Sequence, residues 1–354
     1  MEAGVSFPSS DHFNGKTFFT PGAPSLVRWR EILRWKFSRH EVATWPRWID
    51  APPVVAASPS GTATGAAKAP AVTATWINHS SFLLQTGGVN LLLDPVYSRH
   101  CGPFGLLGPR RVHAPGIAFD ALPRIDAVLL SHDHYDHCDL ATLRRLARRD
   151  APAAFAPLGH RDLFRRAGFA DARIRELDWW ETAELGGDPE RGGIRVTLTP
   201  AQHWSKRLSS PRCRRLWGGF FLETRTPVSA GGPGAGGTEN AAARRVYFAG
   251  DSGYHAAIFR DIGARLGAPD LALLPIGAYE PRWFMSPQHC NPAEAVRMHL
   301  EVGAKLSVAM HWGAFQLTDE ARDEPPRALR AALREAGLPP EVFGVLEPGA
   351  SVTI

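Results

Sequence analysis

Five apolar runs in this chain end on a histidine or an aspartate, and that recurrence constrains the fold more than any other feature. The runs are "LLLDPVY" with Asp94, "VLLSHDHYDH" with His132 at its turn, "TPAQHWSKR" with His203, "FAGDSGY" with Asp251 and "AMHWGAF" with His311. Short apolar runs bounded by turn residues read as buried strands. An ionisable group closing such a strand lies at a sheet edge, where burial is costly unless several of these groups share a partner. The densest case is "SHDHYDHCD" (Ser131–Asp139), with three histidines and three aspartates in nine residues. Side chains alternate along an extended segment, so His132 and His134 can point the same way. Asp136 and His137 follow where the chain turns into "LATLRRLARR", so they point from another direction. One loop can thus give two ligands to each of two ions. Imidazole and carboxylate without thiolate is the donor set of catalytic zinc, and iron and manganese share it. Solvated loop histidines would need no such arrangement, whereas a cluster this dense needs a positive charge to hold it together. His12, His40, His100, His113, His160, His255 and His299 lack this setting and read as surface or packing residues.

Around these runs, strand signals alternate with helical ones from Thr73 onward, which predicts sheets covered by helices rather than a bundle or an all-β barrel. "TATWINHSSFLLQ" and "VNLLLDPVY" flank a Gly-Gly pair and read as a hairpin. Helices are predicted at Leu140 to Arg149, Asp162 to Ala167, Ala256 to Arg265, Pro292 to Glu301 and Pro326 to Ala336. At 354 residues the chain could hold two average domains, or one large α/β domain with long loops. The expected organisation is an N-terminal arm (1–55), a linker (56–70) and one large α/β domain (71–354) carrying a Gly-rich surface loop (229–243); the linker and loop have almost no large apolar residues. In the arm, "RWREILRWKFSRH" places Trp29, Ile32, Leu33 and Phe37 at helical spacing among arginines and lysine. Such a helix either docks on its own domain or lies in a lipid interface.

Lys plus Arg number 40 against 35 Asp plus Glu, a net charge of +5 that favours anionic partners without identifying one. The four cysteines stand apart with no C-x-x-C pair, so neither a disulfide framework nor a thiolate metal site is indicated. The N-terminus lacks a basic start followed by an apolar block, and no run reaches the roughly 18 apolar residues of a membrane span. A cytoplasmic protein, with the inner membrane face as its place of peripheral contact, is the expectation.

H-x-H-x-D-H followed by His203, Asp251 and His311 at strand ends resembles the metallo-β-lactamase superfamily, which implies an α/β (α+β) fold, the four-layered αββα metallo-β-lactamase sandwich. Between the ligands, "ELDWWE", "TPAQHWSKR", "FAGDSGY", "PIGAYEPRWFM", "QHCNPAEAV" and "MHWGAF" resemble the N-acyl-phosphatidylethanolamine-hydrolysing phospholipase D family, in order, over roughly Trp76 to Val345. That resemblance implies two zinc ions per chain, iron or manganese remaining open. His132, His134 and His203 would hold one ion, Asp136, His137 and His311 the other, with Asp251 bridging as the central catalytic group. It also implies that Tyr135 and His289 act as catalytic, substrate-binding contacts to the phosphate or amide, with Asp94 and His79 orienting the ligands. The implied reaction is hydrolysis of N-acyl-phosphatidylethanolamine-like lipids to phosphatidic acid and N-acylethanolamine through a metal-bridging hydroxide. The partners are then a phospholipid or other anionic ester, a membrane surface contacted peripherally, and a second copy in a homodimer. Nucleic acid is not expected, since no RNA-binding module or nucleic-acid exosite is legible. The rival within the fold is a dinuclear zinc hydrolase of lactones or small phosphate esters, like the ascorbate-phosphate lactonase branch, which also shows "NHSSFL"-type starts. A rival of another class is a lipid- or metal-binding protein without activity. Two further stretches are ambiguous from sequence: Lys206, Arg207, Arg212, Arg214 and Arg215 form either a cationic lip or a solvated loop, and Trp283, Phe284 and Met285 either line an acyl groove or pack in the core.

Overall fold

The computed structural model describes residues 7–24, 29–37, 41–50, 71–188, 192–225 and 243–354. Alternation along the first strands sets the layering. Phe82, Leu84, Leu91, Leu93, Ala127 and Leu129 join the apolar core between two sheets. Their neighbours Leu83, Leu92 and Val128 point the other way, into a second core formed with Leu143, Leu146, Leu163 and Phe164. Strands buried on both faces must read as continuous apolar runs, and these do.

One sheet is built from β1 (Val72–Asn78), β2 (Ser81–Thr86), β3 (Val89–Leu93), β4 (Ala127–Leu129), β5 (Ala153–Pro157) and β6 (Ile174–Leu177). The other holds β7 (Thr182–Asp188), β8 (Gly192–Thr199), β9 (Gly219–Arg225), β10 (Arg245–Phe248), β11 (Leu271–Pro275), β12 (Leu306–Met310) and β13 (Phe343–Gly344), while β14 (Ser351–Thr353) returns to the first. The two seven-stranded orders are β14-β1-β2-β3-β4-β5-β6 and β13-β12-β11-β10-β9-β8-β7. From β3 to β6 and from β10 to β13 the strands are parallel, and the remaining pairs are antiparallel. Helices α2 (Leu140–Asp150) and α3 (Arg161–Ala167) cover the first sheet. Helices α4 (Ile258–Leu266), α6 (Pro292–Val302) and α7 (Glu324–Glu335) cover the second, through Phe259, Ile262, Val296, Leu329 and Leu333. This is the four-layered αββα sandwich expected from the sequence.

All the predicted helices form, with ends shifted by one or two residues. The Gly87-Gly88 pair joins β2 to β3 with φ of 53° and 77°, the two positive values that a tight hairpin turn requires. One reading needs correction. "TATWINHSSFLLQ" is not a single strand but β1 and β2, folded back at His79 and Ser80. His79 makes that turn at φ 45° without a glycine or proline to announce it.

The arm lies against the sandwich. Phe13 and Phe18 belong to the core between the sheets, and the Phe18 N–H donates to the Cys213 carbonyl at 2.8 Å. Helix α1 (Trp29–Phe37) forms where the spacing predicts it but docks through Trp35, which stacks on Phe284 at 5.0 Å and donates from its indole to Asp319 at 2.7 Å. Ile32, Leu33 and Phe37 remain exposed. The linker, and all of the Gly-rich loop except Ala243, fall outside the described residues.

Phe220, fully buried between the sheets, tests this core. Phe220→Ala should cost ~3–5 kcal/mol of unfolding free energy in urea, by lost transfer energy plus a cavity. Leu300→Ala, at an exposed helical site, should stay within about 0.5 kcal/mol. Equal effects would mean the layers do not pack as described.

Candidate metal centre

The parallel pairing of β3 with β4 brings Asp94, just past β3, beside Ser131, just past β4. The Asp94 carboxylate accepts from the Ser131 N–H at 2.7 Å and the Ser131 hydroxyl at 2.5 Å. Since the hydroxyl proton goes to Asp94, the Ser131 oxygen accepts from His132 Nδ1 at 2.9 Å. Asp94 also takes His137 Nδ1 at 2.7 Å, and the Gln288 carbonyl takes His203 Nδ1 at 2.9 Å. Each of these bonds engages Nδ1 and turns Nε2 inward, as carboxylates and carbonyls do behind metal-bound imidazoles.

The inward atoms form two adjoining groups. His134 Nδ1 lies 3.0 Å from His132 Nε2 and 3.1 Å from His203 Nε2. Asp136 Oδ2 lies 3.2 Å from His79 Nε2, 3.5 Å from His311 Nε2 and 3.6 Å from His137 Nε2. Asp251 Oδ2 stands between the groups, 3.0 Å from His311 and 3.2 Å from His137 on one side, 3.7 Å from His203 and 3.8 Å from His132 on the other. His289 completes the wall, with Nδ1 3.8 Å from Asp251. The ligand atoms of His132, His134 and His203, and those of His79, Asp136, His137 and His311, each lie within 4.8 Å of one another, so either set could hold a metal ion.

Among the described residues these atoms lack hydrogen-bond partners. His134 Nε2, His137 Nε2, both ring nitrogens of His311, His289 Nδ1 and both carboxylate oxygens of Asp251 are buried without an aligned hydrogen bond. Burying so many unsatisfied groups would cost several kcal/mol. A set of nitrogens and oxygens about 3 Å apart, aimed at common space, is the arrangement that divalent cations satisfy, so the residues fit metal ions.

The protonation states agree. Burial pushes His134 down to about 4, His203 to about 3, and His132 and His289 well below the usual imidazole range, which keeps these rings neutral and able to ligate. Burial also opposes charge on His137, His311, Asp136 and Asp251, but their mutual attraction overrides it. The carboxylates are held well below their usual range, His137 is raised well above its own and His311 is raised to about 9. Without a cation, protons on His137 and His311 supply the positive charge that the carboxylates need. Metal binding would release them.

The three aspartates of "SHDHYDHCD" take three different positions. Asp136 faces the centre. Asp139 caps α2, accepting from the Ala141 N–H, and also receives the Ser98 N–H at 2.9 Å and the Thr142 hydroxyl at 2.6 Å. Asp133 points away from the centre, binding Arg215 at 2.9 Å and the Lys206 N–H at 2.8 Å. Sequence reasoning missed Asp133, Ser131 and Gln288; strand alternation was the available signal for Asp133. Tyr135 lines a cavity of about 230 Å³ with Arg207, Leu208 and Phe104. Its hydroxyl accepts from the Leu208 N–H at 3.2 Å, and the Arg207 guanidinium lies 4.0 Å over its ring.

The cationic lip needs correction at two positions. Arg207 is buried, donating to the Asp133 and Cys138 carbonyls, and Arg215 is buried between Asp133 and Asp162, so both brace the motif loop. In α5 (Arg282–Met285), Phe284 and Met285 are buried beneath Trp35 and only Trp283 is exposed.

Comparison with known proteins agrees with the geometry. The model of the β-lactamase superfamily domain matches residues 89–312. An uncharacterised protein of Mycobacterium tuberculosis is 37% identical over 93% of this chain and 81% of its own length. N-acyl-phosphatidylethanolamine-hydrolyzing phospholipase D 1 of Caenorhabditis elegans is 36% identical over 73% of this chain and 68% of its own. The mitochondrial protein of that activity name from Saccharomyces cerevisiae is 32% identical over 72% of this chain, which spans 50% of the yeast protein. A metallo hydrolase from the archaeon Ignicoccus hospitalis shares the fold, with a TM-score of 0.56 at 23% identity, covering 80% of this chain and 98% of its own. The chain is therefore a metal-dependent hydrolase of the metallo-β-lactamase superfamily and belongs, within it, to the family of N-acyl-phosphatidylethanolamine-hydrolysing phospholipases D.

Proposed function

We propose that this protein is a zinc-dependent phosphodiesterase of the phospholipase D type, converting N-acyl-phosphatidylethanolamine-like lipids to phosphatidic acid and N-acylethanolamine. The observation that carries this reading is the pair of imidazole and carboxylate groups meeting at Asp251 without satisfied hydrogen bonds. The lipid class is supported by two relatives that bear this activity in their names.

In this reading His132, His134 and His203 hold one zinc ion, Asp136, His137 and His311 the other, and Asp251 serves both. When bound, the ions supply Lewis-acid polarisation of a phosphoryl oxygen and acidify water at neutral pH. The chain's own residues do the rest. Asp94 holds His137 directly and His132 through Ser131, so both rings are fixed before substrate arrives. In the reaction, water oxygen bonds to phosphorus, the phosphorus–oxygen bond to the N-acylethanolamine breaks, and the departing oxygen takes up a proton. That proton comes from the attacking water, and His289, a neutral ring whose buried Nδ1 has no hydrogen-bond partner among the described residues and faces the centre, is the proposed contact to the departing oxygen. Tyr135, in the cavity wall beside His134 and Asp136, is the proposed contact to the phosphate or amide.

Metal analysis of the purified protein should find close to two zinc ions per chain, and chelation should abolish lipid hydrolysis, with zinc restoring it. A metal-free preparation of full activity would end this mechanism, and a zinc-loaded one inert on the lipid but active on lactones would shift the reading to the lactonase branch. Asp251→Asn should lower turnover by orders of magnitude while far-UV circular dichroism stays unchanged; unaltered turnover would show that Asp251 does not serve both ions. Asp94→Asn should weaken metal affinity by about 10–100-fold in a chelator competition. Wild-type affinity in that variant would remove Asp94 from the support of the site.

A further inference from the structure

Between β3 and β4 the chain makes a hairpin that neither sheet uses. Its stem is closed by an antiparallel bridge between His100 and Arg110, by the Arg111 N–H donating to the Arg99 carbonyl at 2.8 Å, and by the Cys101 N–H donating to the Pro109 carbonyl at 3.0 Å. Its base is anchored, since Arg111 is buried and bridges to Phe315, and Cys101 packs with Val96, Ala314 and Phe315. The tip is tight. A Cβ on Gly102 would stand 2.1 Å from the Leu107 carbonyl oxygen, and the Gly105, Leu106 and Leu107 N–H groups all bond back to Gly102 or Pro103.

This rigid tip presents apolar side chains to solvent: Phe104 is 83% exposed, Leu106 73% and Leu107 57%. Phe104 sits at φ 62°, in the left-handed region that costs a side chain of its size energy, and among the described residues little burial offsets that cost. Leu208, 77% exposed on the loop after His203, lines the same cavity as Phe104 and Tyr135, so the tips of the two loops flank the motif loop together. The surroundings are basic. From Pro95 to Phe119 there is no carboxylate, and Arg99 and Arg110 are exposed on the stem without an ion pair among the described residues. Arg144, on α2, reaches the cavity beside Phe104, and Asp139, the acid that lines it, is buried as the helix cap.

We propose that the 99–110 hairpin, with Leu208 beside it, is a wedge that enters the surface of an anionic bilayer. Phe104, Leu106 and Leu107 sit among the acyl chains, and Arg99, Arg110 and Arg144 meet the lipid phosphates at the collar. Apolar tips above a cationic collar are complementary to the two depths of such a surface. Four side chains on two loop tips are far fewer than the roughly 20–30 residues a side of a stable protein interface. Helix α1, which the sequence alone nominated for this task, spends its Trp35 on docking to Phe284. The inference rests on the lipid-hydrolase reading only for its purpose, because it places the bilayer beside Tyr135 and the metal centre.

The test is co-sedimentation of the full-length, metal-loaded protein with vesicles of phosphatidylcholine and phosphatidylglycerol at roughly 7:3. Phe104→Ser/Leu106→Ser/Leu107→Ser should lower partitioning by about tenfold or more. Arg99→Gln/Arg110→Gln should weaken binding to these vesicles but not to pure phosphatidylcholine. Leu106→Ser/Leu107→Ser should leave hydrolysis of a soluble phosphodiester at wild-type rate, which shows that the fold and centre are intact. Wild-type partitioning by the triple variant would overturn the proposal, as would loss of binding only in Leu33→Ser/Phe37→Ser, which would move the membrane surface to α1. A wild-type protein that ignores vesicles, with a monomer–dimer equilibrium that shifts in the triple variant, would instead make the tips a protein contact. Vesicle binding through the hairpin without lipid hydrolysis would support the wedge and refute only the assigned reaction.

Discussion

Everything in this protein is arranged around buried groups that cannot satisfy one another. Asp251 has two carboxylate oxygens in the interior with no aligned hydrogen bond among the described residues, although His137 and His311 approach it at 3.2 and 3.0 Å. Placing such groups in a low dielectric is unfavourable unless charge is supplied, either by protons on the imidazoles or by metal ions. The sandwich concentrates this cost at one edge. There, the ends of β3 and β4 from one sheet and of β8, β10 and β12 from the other deliver Asp94, the motif loop, His203, Asp251 and His311.

The apolar layers make that delivery rigid. Trp76, Trp217, Phe220 and Phe248 are buried between the sheets, so the strand ends cannot drift relative to one another. The motif loop, which has no regular structure of its own, is held by polar contacts. Asp133 with Arg215 fixes its outer face, Arg207 gathers its carbonyls, and Asp139 ties its exit to the start of α2 and to the backbone at Ser98. A charged residue in this loop is thus as often a brace as a group that faces the centre. That is why Arg207 and Arg215 do not belong to an open cationic lip.

The residues from Asp94 to Arg111 link the centre to the outside. Asp94 at their start holds His132 and His137, and a few residues later the same segment projects Phe104, Leu106 and Leu107 into solvent. In the proposed reading the substrate is drawn from a bilayer while the charged interior stays shielded from it. An apolar tip on an arginine-bearing stem beside the site has the chemistry for that contact.

Much of the centre is legible in the sequence because strand periodicity is local. Apolar runs that end on His132, His203, Asp251 and His311 announce sheet edges, and the alternation within H-x-H-x-D-H separates His132 and His134 from Asp136 and His137. The helices are legible for the same reason, as is the Gly87-Gly88 turn. The bend at His79 is not, since a positive φ on a non-glycine residue leaves no compositional mark. Nor does local pattern say which aspartate of "SHDHYDHCD" faces the centre, which is a cap and which a brace, because Asp133 becomes a brace only when Arg215, 82 residues away, arrives beside it. Helix α1 could be drawn from its spacing, but the side that docks was decided by Phe284 and Asp319. Taken alone, then, the sequence determined the strands, the donor chemistry and their common destination at a sheet edge, because these follow from neighbours in the chain. Partners far apart in sequence, and the exposure of the hairpin tip, were decided only by the tertiary structure, because burial is a property of the folded surface rather than of the residue.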